Sequence, residues 1–123
     1  MKQKKETRGN SIGRSDRPIS TFNYDTKAFR KIIQDYWQDL EDIEASWKMQ
    51  EYREENSIDF RAIKLIHVLR DITTWKSNIY ILSLFFKVRE LARLLGVTSS
   101  AISSSLHVIK KEIIEKYKKI DLG

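Results

Sequence analysis

The chain has 123 residues and no cysteine, enough for one domain with a modest core, and disulfides and thiolate metal sites are excluded. Hydrophobic residues make up 41% of the sequence and aromatic residues 11%, which predicts a folded chain, while 33% charged residues predict a heavily solvated surface. The net charge of +6 is unevenly divided: residues 1–26 hold six Lys/Arg against three Asp/Glu, residues 27–59 five against nine, and residues 60–123 twelve against five.

Residues 1–25 show no apolar periodicity and contain two glycines and the only proline. They read as a flexible, disordered basic tail. Lys2, Lys4, Lys5, Arg8, Arg14 and Arg17 suit either a nucleic-acid backbone or plain solubility. Phe22 and Tyr24 are expected to anchor the tail where the fold begins. The start of the chain is basic and polar with no apolar stretch after it, unlike a secretory signal. The longest apolar run, residues 79–86, is far too short to span a bilayer. A soluble protein with no membrane partner is expected, and the lack of cysteine suits a reducing cytosol.

Residues 26–74 predict two amphipathic helices. The first has Asp25 or Thr26 as N-cap and runs to about Glu55, because neither Gly nor Pro interrupts it. Phe29, Ile32, Ile33, Tyr36, Leu40, Ile43 and Trp47 recur at helical spacing, with Trp37 and Tyr52 beside the stripe. Asp35, Asp39, Glu41, Asp42 and Glu44 make an acidic outer face, which suits solvent or a basic protein partner. The stripe is expected to cover the C-terminal helices, or else to dock on a partner or pair with itself. Asn56, Ser57 and Asp59 mark a break, with Ser57 the N-cap of a second helix to about Thr73. Its inner face is Phe60, Ile63, Ile66 or Leu65, Leu69 and Ile72, with Arg61, Lys64 and Arg70 outside. His67 has no second ligand at metal spacing and reads as a surface or boundary side chain.

Residues 75–123 predict a helix-turn-helix head with an extended last helix. Residues 73–77 form a link, and Ser77 or Asn78 caps a helix over 79–86 that is apolar nearly all round; a run this short also fits a buried strand, and the helical context decides for a helix. Next, Val88, Leu91, Ala92 and Leu95 share one helix face. Gly96 is placed to close that helix in the left-handed conformation, which lets Val97 turn back into the core. Thr98 or Ser99 then caps a second helix carrying Ala101, Ile102, Leu106 and Ile109. Residues 112–122 continue this helix, with Ile113, Tyr117 and Ile120 in its seam and Lys110, Lys111, Lys116, Lys118 and Lys119 making its end basic. It is expected to dimerise or to pack on the acidic first helix.

The spacing of Ala92, Gly96 and Ile102 resembles the general helix-turn-helix pattern: small residue for close packing, glycine for the turn, branched residue to lock the second helix. The apolar helix, the link at Lys87 and the run VRELARLLGVTSSAISSSLHVIKKEI are similar to region four of bacterial sigma factors and to small phage-encoded sigma-like transcription regulators. The resemblance covers about residues 71–120. It implies a transcription regulator that binds duplex DNA, with RNA polymerase as a second partner, in the cytoplasm of a bacterial cell or phage-infected host. By the family's exposures, Thr98, Ser99, Ser100, Ser103, Ser104 and His107 face the groove. Lys87, Arg89, Arg93, Lys110 and Lys111 suit the phosphate backbone. Arg, Asn and Gln, whose bidentate base contacts discriminate by about 1–3 kcal/mol, are missing from the centre of this helix. The expectation is affinity from the flanking cations, with specificity from the tail or a partner.

No nucleophile–base spacing and no phosphate-binding glycine loop occurs, and the two histidines, His67 and His107, lie far apart. The chain therefore reads as a non-enzyme without a cofactor. The alternative is a phage-type structural or packaging adaptor, a small DNA-recognition subunit that uses the motif for assembly or DNA capture, with homo-oligomerisation among its possible states.

Overall fold

The apolar stripes fold as helices throughout. The computed structural model describes residue 22 and residues 24–50 and 57–121, and these are all-α. The elements are α1 (Lys27–Lys48), α2 (Ile58–Asp71), α3 (Thr74–Ser83), α4 (Val88–Leu95) and α5 (Ser99–Lys119). The basic residues of the tail, together with Tyr52, Glu55 and Asn56, lie outside the described residues. No helix among the described residues is long and apolar enough to cross a membrane.

Phe22 and Tyr24 do anchor the start of the fold: Tyr24 is buried in the core and Phe22 packs against it. Burial pushes the Tyr24 phenol up to about 12, because the charged phenolate is disfavoured away from water. Thr26 holds the N-cap position of α1 in extended conformation, but its hydroxyl caps nothing. α1 stops at Lys48, short of the expected end near Glu55. The Met49 N–H bonds the Ser46 carbonyl and the Gln50 N–H bonds the Trp47 carbonyl, each at 3.2 Å, so the last turn tightens. In the same turn Trp47 is buried edge-on against Phe60 of α2, with centroids 6.3 Å apart.

Ser57 caps α2 as expected, its hydroxyl accepting the Phe60 N–H at 3.1 Å. Ile63, Ile66, Leu69 and Ile72 are buried, together with Val68, which the spacing did not single out. α2 ends at Asp71 and α3 starts at Thr74, with Thr73 at its N-cap position. Ser77 is therefore inside α3 and does not cap it. It is 2% exposed and donates its hydroxyl proton to the Leu69 carbonyl at 2.7 Å. That carbonyl is one of the four that α2 leaves without an intrahelical partner, so a side chain of α3 closes the end of α2. The expected helix over 79–86 ends at Ser83, and Leu84 and Phe85 are 48% and 55% exposed. Phe85 meets Tyr36 edge-on, and Phe86 meets Phe29 in the same way.

One apolar cluster runs through all five helices, from Tyr24 and Phe29 through Leu69, Ile79 and Leu82 to Leu91, Ile102 and Ile113. α1 packs on α2 and α3, and its aromatic stripe therefore covers the middle of the chain more than the C-terminal pair. α5 packs on α2, α3 and α4. Its basic end lies against α2 and α3 and not against the acidic face of α1: Lys116 bonds Asp71, and Lys76 bonds Glu112, each at 2.8 Å.

Glu44 also departs from the expected outer face. It is only 8% exposed and receives both terminal nitrogens of Arg70, each at 3.1 Å. The Arg70 hydrogen bonds hold its carboxyl below the usual range, against the opposing effect of burial. This fork ties α1 to α2. Arg70→Ala leaves a poorly solvated carboxylate with Lys48 at 4.0 Å, and the expected loss is about 2 kcal/mol by urea denaturation at neutral pH, reduced from a fully buried pair because Arg70 is partly exposed. Because the folded pKa is depressed, the pair's contribution is present above the unfolded value near 4.5 and disappears as pH falls through the folded value. The gap between wild type and Arg70→Ala is therefore expected to close in acid.

Candidate nucleic-acid interface

The helix-turn-helix is built by local chemistry. Leu91, Ala92 and Leu95 bury one face of α4, and the Glu90 carboxylate accepts the Lys87 N–H at 3.2 Å to hold its first turn. Gly96 ends α4 with φ 71°, a region that a β-carbon would crowd. The Val97 N–H then reaches back to the Ala92 carbonyl at 3.0 Å, and Val97 enters the core, the hydrogen-bond and apolar closure that a left-handed C-terminus permits. Thr98 starts α5 by accepting the Ala101 N–H on its hydroxyl at 3.1 Å. Ala92 and Ile102 belong to the same buried cluster.

Ile102, Leu106, Ile109 and Ile113 bury the inner face of α5. On the outer face Ser99, Ser100, Ser103, Ser104, His107, Lys110 and Lys111 are all exposed. Ser100, Ser104, His107 and Lys111 follow one another at helical spacing and form a single line about 16 Å long. Ser99, Ser103 and Lys110 run beside it. Lys87, Arg89 and Arg93 are exposed on or next to α4, whereas Thr98 is half-buried and engaged in its cap. Leu94 and Val108, which the spacing did not single out, are 49% and 60% exposed on the same pair of helices. Val108 is one turn past Ser104, a placement readable from the sequence once the buried line of α5 is known.

Charge is divided between the back and the front of this unit. Behind it, Arg70, Lys76 and Lys116 are held by Glu44, Glu112 and Asp71, and the Asp71 hydrogen bond raises the Lys116 ammonium above its ordinary value. In front, Lys87, Arg89, Arg93, Lys110 and Lys111 enter no salt bridge and no side-chain hydrogen bond among the described residues. Residues 87–111 contain five cations and one carboxylate, Glu90, and that carboxylate is turned to a backbone N–H. Residues 87–111 thus expose short polar side chains together with five cations that form no salt bridge among the described residues.

His67 is exposed on α2. No group of three or more His, Asp or Glu among the described residues could hold a metal ion. No protein-family model, no curated protein and no solved structure matches this chain.

Gly96→Ala is expected to cost about 1 kcal/mol in chemical denaturation, because alanine must hold a left-handed conformation. Gly96→Asn, which tolerates that region better, is expected to cost less.

Proposed function

We propose that this chain is a DNA-binding transcription regulator that seats the N-terminal half of α5 in the major groove of duplex DNA. The observation that supports this reading best is the set of exposed cations without a salt bridge among the described residues, Lys87, Arg89, Arg93, Lys110 and Lys111, in the same two-helix unit as an exposed polar helix face. An α-helix with its side chains is about as wide as the major groove. The flanking cations neutralise phosphates and release counterions, which supplies affinity without sequence preference. Ser100, Ser104 and His107 hydrogen-bond base edges or phosphates, and Val108 offers an apolar contact to a thymine methyl. Readout from α5 is accordingly shallow, and the resemblance of residues 71–120 to sigma region four supports a second partner, RNA polymerase, for placing the protein at promoters.

The test is fluorescence anisotropy with a random duplex at two salt concentrations. Wild type is expected to lose roughly 10²-fold in affinity between about 50 and about 200 mM salt, with a log–log slope near −4 for four to five phosphates. Arg89→Ala, Arg93→Ala, Lys110→Ala and Lys111→Ala are each expected to reduce that slope by about one. Absence of binding at low salt defeats the proposal. Retention by core RNA polymerase supports the sigma-like role, and a closed ring of subunits without such retention favours a packaging subunit.

A further inference from the structure

An apolar groove of about 600 Å³ lies between α2 and the C-terminal half of α5, beyond the serine-lined half assigned above to DNA. Ala62 and Leu65 of α2, Tyr80 of α3, and Ile114 and Tyr117 of α5 line it, and Arg61 and Lys118 stand at its rim. Ile114 is 54% exposed there. Isolated apolar side chains at a surface are ordinary, but this one borders a concave apolar lining that keeps five such residues together.

The charge around the groove has one sign. Arg61 and Lys118 are exposed and form no salt bridge among the described residues. The Lys64 ammonium lies 4.4 Å from the centroid of the Tyr117 ring, so a third cation borders the same edge. No carboxylate lines the groove. A second copy in a two-fold arrangement would set this cationic rim against itself. A phosphate backbone would be desolvated over an apolar floor that offers it few donors.

We propose that this groove docks an acidic amphipathic helix of another protein. An apolar side chain of that helix seats beside Ile114, and its Asp or Glu residues meet Arg61, Lys64 and Lys118. This assignment is independent of whether α5 binds DNA.

The experiment uses the full chain with labelled Ala, Leu and Ile methyls, followed by NMR. The probe is a synthetic helical peptide of about five turns, with leucines at three- and four-residue spacing and glutamates elsewhere; a second peptide replaces every glutamate with lysine. The glutamate peptide is expected to shift the Ala62, Leu65 and Ile114 methyls saturably, and the lysine peptide to leave them unmoved. Arg61→Glu and Lys118→Glu are each expected to weaken the glutamate peptide roughly tenfold, and Ile114→Asp to abolish its binding. All three positions are exposed, and an unchanged circular dichroism melt verifies folding. Equal response to both peptides, shifts confined to other methyls, or no response overturns the proposal. So does a dimer in sedimentation that Ile114→Asp converts to monomer, or movement of these same methyls by random duplex DNA.

Discussion

The fold depends on α3, the ten-residue helix that packs against every one of the other four. Ile79, Ile81 and Leu82 have no exposed surface, and burying side chains of this size stabilises by about 1.5–3 kcal/mol each. A helix this short has little intrinsic stability of its own. It exists because its neighbours surround it, and they hold their angles because they close on it. Ser77 adds a polar tie to the same point, since its hydroxyl satisfies the Leu69 carbonyl at the end of α2. The helix-turn-helix pair thus rests on a support fixed from several directions, and the exposed face of α5 inherits that orientation.

The electrostatics divide according to which helices need joining. Arg70, Lys76 and Lys116 each bridge two elements, α2 to α1, α3 to α5, and α5 to α2. Glu44, the buried carboxylate of the acidic stretch, is therefore engaged at the junction of α1 and α2, and Asp71 and Glu112 are engaged at two others. Lys87, Arg89, Arg93, Lys110 and Lys111, on or next to α4 and α5, are exposed and form no salt bridge among the described residues. The Lys116–Asp71 pair, whose carboxylate is exposed, contributes little, but the placement of the three pairs affects where the molecule keeps a positive field.

Features set by neighbouring residues were legible in the sequence. Gly96, Thr98 and Ser57 act within three or four positions of themselves, so a turn or a cap could be read directly from residue type and order. The unbroken run of α5 and its buried line at Ile102, Leu106, Ile109 and Ile113 followed from periodicity alone. What escaped was set by distance along the chain. Glu44 looks like one more member of an acidic face until Arg70, 26 residues away, turns it inward. Ser77 resembles an N-cap, and only the position of the Leu69 carbonyl makes it an interior tie. The end of α1 carries no glycine or proline, so no residue type there marked the tightened last turn at Met49 and Gln50. At the candidate interface, the exposure of the serines and cations was legible from the helix period, but the groove beside Ile114 needs three helices to exist and left no local mark.

α5 has 21 residues with neither glycine nor proline, a rod about 31 Å long. Its first half presents the serines and its second half forms one wall of the groove. Ligands at the two ends would then be held at a fixed separation and angular offset, as on a ruler, with no hinge between them. Under the two proposals above, a protein bound at the far end would gain a nearby nucleic acid by raised effective concentration, without any change in shape of this chain. The length of that one helix would then determine which pairs of partners fit at the same time.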